Sequence, residues 1–162
     1  MNVRDLERLL TAFGVGAAKM DGTTRRLREI GRLPLGGRGT NAPEIAAENA
    51  AAVLVAVAGS GKAIEADNRL AKLEESAKAQ SGETIVAAIS RMLDHPAELE
   101  TIAEVRVSRT SRSASVHHTD GRVDRYGDSR SASRPTKFRV EGVLPSSLLK
   151  TVSNDLKKGG SS

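Results

Sequence analysis

The sequence contains no cysteine and no tryptophan, and its aromatic residues are one tyrosine and two phenylalanines. Without cysteine the chain can form neither a disulfide nor a zinc site built on thiolates. With so few aromatic side chains, the core has to be built from alanine, leucine, isoleucine and valine, which argues against a large enzyme with a deep pocket. The 162 residues suffice for one ordinary domain or for two small ones.

A membrane span and a catalytic set are also missing from the sequence. The apolar run over residues 44–58 is too short to cross a bilayer, and the N-terminus has no apolar signal segment, so a cytoplasmic protein is expected. Gly59-Ser60-Gly61-Lys62 resembles part of a phosphate-binding loop, but Ala63 occupies the position that requires serine or threonine. The pair His117-His118 has no third ligand at useful spacing. We therefore predict no enzyme activity, metal, cofactor or small-molecule substrate.

The net charge of +5 is unevenly distributed along the chain. Residues 1–43 hold eight Lys/Arg and four Asp/Glu, residues 44–100 hold five and ten, and residues 101–162 hold twelve and six. A basic head, an acidic middle and a basic tail suggest that both ends face a polyanion. The alternative interpretation is that these charges form ordinary solvated surface.

Two amphipathic helices are predicted at the N-terminus, over residues 3–13 and 17–30, with Gly14 ending the first. On the polar face of the second helix, Lys19, Thr23 and Arg26 line up, with Arg25 and Arg28 beside them. A helix with such a face fits the major groove of DNA, where arginine reads guanine and threonine or lysine holds phosphate.

Gly22 lies within this second helix and should cost it about 1 kcal/mol relative to alanine. An alternative is that the helix begins only at Thr23 or Thr24, with Asp21 as its N-cap. Gly31 is well placed to end the helix, and a glycine-rich loop over residues 32–41 follows. Arg38 in that loop is a candidate minor-groove or phosphate contact at the tip of a wing; taken without the basic helix before it, the loop is also interpreted as a solvated turn.

The run Thr24-Arg25-Arg26-Leu27-Arg28-Glu29-Ile30-Gly31-Arg32-Leu33-Pro34 is similar to the winged-helix signature of MerR-type regulators. The resemblance implies that Arg25 and Arg26 contact the groove or the phosphates and that Arg38 is a wing contact. Together with the helical pattern, it defines the predicted DNA-binding residues, which are Lys19, Thr23, Thr24, Arg25, Arg26, Arg28, Arg32 and Arg38.

The middle of the chain is predicted to be helical. The helix that follows Pro43 is nearly all alanine, valine and leucine, so it must be covered on most sides, either by other helices of this chain or by another subunit. Because the other helices offer few large side chains, we expect a second subunit to cover it. Further helices are predicted over residues 62–79 and 82–94, with one more helical turn starting at Pro96.

The last third of the chain changes from helical to alternating periodicity. Val105 and Val107 indicate a first strand, and residues 114–116 and 123 indicate a hairpin turning at Asp120-Gly121. Another strand is predicted over residues 136–143, followed by a terminal helix. The arginines of this region, which alternate with apolar residues, suggest either a basic sheet face or an edge protected by charge; they are Arg106, Arg109, Arg112, Arg122 and Arg125.

The predicted fold class is α+β, mainly α, in four regions. Residues 1–43 form a winged helix-turn-helix, residues 44–100 a helical oligomerisation region, residues 101–158 a small β-hairpin unit with a helix, and residues 159–162 a flexible tail. The predicted function is that of a sequence-specific transcriptional regulator that binds double-stranded DNA as a homo-oligomer, with a dimer preferred.

Two other functions remain open. The order of a basic head, a helical middle and a β-rich tail also resembles phage small terminase subunits, which recognise DNA for packaging, and a phage or mobile-element origin fits both DNA-binding functions. The third alternative is an adaptor without a DNA partner, in which the arginines bind an acidic protein.

Overall fold

The computed structural model describes residues 1–35, 42–75, 82–127 and 140–159. Within these ranges the chain forms helices and one antiparallel sheet. The helices are α1 (Val3–Ala12), α2 (Ala17–Glu29), α3 (Ala47–Gly59), α4 (Ala66–Glu74), α5 (Ile85–Asp94), α6 (Pro96–Leu99) and α7 (Ser146–Gly159), with a short 3-10 turn (Ala63–Glu65) before α4. The strands are β1 (Ile102–Ser108), β2 (Ser113–His118), β3 (Val123–Gly127) and β4 (Glu141–Pro145).

The first two helices have the ends that local sequence signals indicate. Asn2 accepts a hydrogen bond from the backbone N–H of Asp5 at 3.1 Å, and the Asp5 carboxylate accepts one from the backbone N–H of Asn2 at 3.0 Å. Gly14 and Gly31 have φ angles of +92° and +74° just after α1 and α2, where the sequence predicted that both helices end. Helix α2 begins at Ala17, so the alternative start at Thr23 or Thr24 is wrong.

Helix α3 lies at the centre of the core. Every residue from 50 to 60 is buried, and the helix contacts α2, α4, α5, α7, β1 and β4. Its small side chains let all of these elements approach closely, because alanine leaves room for neighbours on every side. The expectation that a second subunit must cover this helix is therefore wrong, since the chain covers it by itself. The oligomeric state stays a prediction.

The sheet has the strand order β3-β2-β1-β4. The predicted hairpin is confirmed: Gly121 has a φ angle of +89°, and the backbone N–H of Arg122 donates to the Asp120 carboxylate at 2.9 Å. One sheet face packs against the helices through buried apolar side chains. These are Val105, Val107, Ala114, Val116, Tyr126 and Leu144.

The outer sheet face carries charges of both signs. The Arg106 guanidinium lies 2.5 Å from a Glu104 carboxylate oxygen and 4.0 Å from a Glu141 carboxylate oxygen. The expectation of a basic sheet face is therefore wrong around Arg106, because acidic neighbours on β1 and β4 neutralise it. On β4, Gly142 and Leu144 turn inward while Val143 is exposed.

The first three of the four regions predicted from the sequence share one hydrophobic core, which runs from Met1 to Val152. An α+β fold that is mainly helical is confirmed, whereas a winged helix is not. The α1–α2 pair is present, but residues 36–41 of the wing loop predicted over residues 32–41 lie outside the described residues, as do residues 136–139 of the predicted last strand. Gly159, expected in a flexible tail, belongs to α7.

Candidate nucleic-acid interface

The orientation of α2 decides which of the predicted DNA contacts can reach solvent. Thr23 and Thr24 are both 0% exposed, because α2 packs against α1 on one side and against α3 and α4 on the other. The Thr24 hydroxyl lies 2.6 Å from a carboxylate oxygen of Glu7, to which it can donate. The prediction that these threonines hold phosphate is therefore wrong; both are core residues of the helix pair.

Lys19 is likewise directed into the protein. Its ammonium donates to the carbonyl oxygens of Val57 at 2.8 Å and Ser60 at 2.7 Å, at the C-terminal end of α3. Burial, followed by the nearby positive charge of Arg109, lowers the pKa of Lys19 below its ordinary value. The last carbonyls of a helix need donors from outside it, and Lys19 supplies two. The prediction of Lys19 as a DNA contact is therefore corrected to a capping role.

Two further predicted contacts join elements of the fold. Arg28 lies 3.6 Å from Glu7 on α1, with 26% of its side chain exposed. Arg32, just after α2, lies 2.5 Å from the Glu74 carboxylate on α4. These ion pairs hold the C-terminal end of α2 against α1 and α4, so Arg28 and Arg32 are only partly available to a partner.

The side chains of Arg25 and Arg26 reach solvent, as their predicted role as DNA contacts requires. Their side chains are 68% and 38% exposed, and each makes one ion pair within α2, to Asp21 at 3.3 Å and to Glu29 at 3.4 Å. Ion pairs of this kind contribute about 0.3–0.5 kcal/mol, so a phosphate can replace the carboxylate at little cost. Arg38 lies outside the described residues.

Helix α1 adds two arginines that the sequence reasoning did not include. Arg4 and Arg8 are exposed, and the side chain of Arg8 reaches 81% exposure. They lie three residues before and one residue after Glu7, which contacts Thr24 and Arg28 of the adjacent helix α2. The signal was present in the sequence, because residues four apart on the polar face of an amphipathic helix share one side. We call Arg4, Arg8 and Arg25, the exposed arginines of these two adjacent helices, the α1–α2 basic face.

No protein-family model matches the sequence, and neither curated proteins nor solved structures gave a significant match. The described part of the chain contains no group of three or more side chains that could hold a metal ion. None of the helices in the described ranges is both long and apolar enough to cross a membrane. The interpretation of the basic face therefore depends on its own chemistry.

Proposed function

We propose that this chain binds double-stranded DNA through the α1–α2 basic face and acts as a sequence-specific transcriptional regulator. The observation that carries the proposal is the high exposure of Arg8 and Arg25 on two adjacent helices, at 81% and 68%. Among the described residues, each makes an ion pair within its own helix, Arg8 with Asp5 and Arg25 with Asp21. On DNA, phosphates replace the carboxylate partners of these weak ion pairs. The release of counterions from the duplex then supplies most of the affinity.

Arg25 on this face is assigned a phosphate, and the half-buried Arg26 next to it in α2 is assigned a base edge in the major groove. A phosphate contact supports binding to any sequence, whereas a bidentate arginine discriminates guanine by about 1–3 kcal/mol. Occupancy of a promoter site by the protein would then suffice for repression.

The proposal is tested by fluorescence anisotropy of labelled duplex DNA over a series of salt concentrations. Arg25→Gln is expected to reduce the slope of log affinity against log salt by about 1, because one phosphate contact is lost. Lys158→Gln on α7 is the matched control, since Lys158 is 80% exposed and pairs with Asp155 within its own helix. An equal loss for both variants would show that only net charge matters and would reject this face.

The base-reading role of Arg26 needs a second readout. Duplexes selected from a random library by the wild-type protein give the preferred site, and Arg26→Gln is expected to weaken binding to that site while leaving random DNA nearly unchanged. Equal losses on both DNAs would reject the base-reading role. No retention of any duplex by the wild-type protein at low salt would reject DNA binding altogether and support the adaptor function.

The packaging-subunit alternative shares the DNA partner and differs in assembly. The mass of the protein in solution separates the two, since a regulator is expected to be a dimer and a packaging subunit a ring of many copies.

A further inference from the structure

A pocket of about 250 Å³ lies between the start of α2, the end of α3 and strand β4. Its walls are apolar side chains from α3, β4 and α7, namely Leu54, Val57, Leu144 and Leu148. Phe13 and Val143 also line it and are 43% and 49% exposed, which is unusual for large apolar side chains. The pocket therefore offers apolar surface to a molecule from solvent.

Two cations line this pocket, and no acidic side chain of the described residues lines it with them. Lys19 reaches it from α2. Arg109, which follows β1, donates its Nε–H to the carbonyl oxygen of Ala58 at 3.0 Å. Both side chains thus converge on the C-terminal end of α3.

The positive charges of Lys19 and Arg109 exceed the partial negative charge at the C-terminal end of α3. The C-terminus of a helix carries the equivalent of about half a negative charge, whereas Lys19 and Arg109 bring two full positive charges. Burial is the main cause that lowers the pKa of Lys19, and the nearby positive charge of Arg109 lowers it further, because two like charges repel each other. An anion entering the pocket would relieve this repulsion.

We propose that this pocket binds a small organic monocarboxylate, with the carboxylate between Lys19 and Arg109 and an apolar body against Leu54, Val57, Leu144 and Leu148. The size follows from the volume: if each non-hydrogen atom takes about the 30 Å³ that a water molecule occupies in the liquid, the pocket of about 250 Å³ holds roughly eight such atoms. Hexanoate has this size and chemistry. The site is separate from the α1–α2 basic face and does not depend on DNA binding.

The test is a titration of the full chain followed by methyl NMR, with hexanoate as the probe. Saturable shifts are expected for the methyl groups of Leu54, Val57, Leu144 and Leu148. Hexan-1-ol has the same chain without the charge, and acetate has the charge without the chain. Each is expected to bind at least tenfold more weakly than hexanoate, because each lacks one half of the interaction. Equal affinity for hexanoate and hexan-1-ol, or the absence of saturable shifts with hexanoate, would overturn the proposal.

Two lysine variants test whether the charge of Lys19 binds the carboxylate. Lys19→Met keeps an apolar stem of similar length and is expected to reduce hexanoate affinity at least tenfold while leaving hexan-1-ol affinity nearly unchanged. Lys62→Met, an exposed lysine that does not line the pocket, is the matched control and should leave both affinities unchanged. Retention of full hexanoate affinity by Lys19→Met would overturn the proposal. If Lys19→Met does not fold, the three probes on the wild-type protein decide.

Discussion

The sequence and the structure predict opposite effects of Gly22→Ala on the stability of the protein. In an isolated helix, replacing glycine by alanine stabilises by about 1 kcal/mol. In the folded chain, Gly22 lies where α2 passes the 3-10 turn, and a Cβ atom added to it would be 2.7 Å from the Cβ of Ala63. Two carbon atoms in contact are normally about 3.5–4.0 Å apart, so the helix and the turn would have to separate by about 1 Å.

The magnitude follows from these two opposing effects. Overpacking of a close contact costs about 1–3 kcal/mol, and neither a helix backbone nor an alanine methyl can rotate away. After the gain in helix propensity is subtracted, Gly22→Ala is expected to lower the free energy of unfolding by about 1 kcal/mol. The double variant Gly22→Ala with Ala63→Gly removes the obstructing methyl, so the two substitutions should show a favourable coupling of about 1–3 kcal/mol.

The assay is urea denaturation followed by far-ultraviolet circular dichroism, applied to both single variants and the double variant. Ala18→Gly, at an exposed position of the same helix, calibrates the propensity difference and is expected to cost about 1 kcal/mol. If Gly22→Ala stabilises the protein by the amount that Ala18→Gly destabilises it, α2 does not approach the 3-10 turn, and the assigned packing is wrong.

Three further predictions concern the core. Burial raises the pKa of Tyr126 to about 12 from its ordinary 10.0, and the negative charges of Glu83 and Asp124 add to this. The stability that neutral Tyr126 contributes is thus complete below pH 10 and is lost toward pH 12. Because the chain has one tyrosine, near-ultraviolet absorbance reports the titration of this residue alone. A midpoint at 10.0 in the folded protein would contradict the burial of Tyr126. Thr24→Val should lower the free energy of unfolding, measured by urea denaturation, by about 1–2 kcal/mol because the hydrogen bond to Glu7 is lost, and DNA affinity should stay unchanged. A loss of DNA affinity without a loss of stability would restore the phosphate-contact role of Thr24. Gly142→Ala should cost about 3 kcal/mol because its methyl would overlap the Ala58 carbonyl, and a melting temperature equal to that of the wild type would disprove this close approach.

Local features of the fold were predictable because they depend on neighbours in the sequence. Gly14 and Gly31 end their helices with positive φ angles that most other residues avoid, and Asp120-Gly121 turns the hairpin by the same conformational freedom. The spacing of apolar residues likewise indicated α1 and β1, because periods of 3.6 and 2 follow directly from backbone geometry. These features need no knowledge of the rest of the molecule.

The role of each basic residue could not be predicted in the same way. Helical spacing shows which residues share a side of α2, but not which neighbour that side meets. The sequence placed Lys19 and Arg26 on the same side of α2. In the structure, the ammonium of Lys19 donates to carbonyl oxygens at the end of α3, whereas Arg26 stays partly exposed. The partner carbonyls are 38 and 41 residues away along the chain, beyond any local pattern.

The sequence by itself thus determined where most helices and strands lie, the mainly helical α+β class and the excess of basic charge. Only the tertiary structure decided that α3 is covered by its own chain, that Thr23 and Thr24 are buried, and that Lys19 faces a pocket with Arg109. The physical reason is that backbone conformation depends on adjacent residues, whereas burial and ion pairing depend on which distant surfaces meet when the core closes.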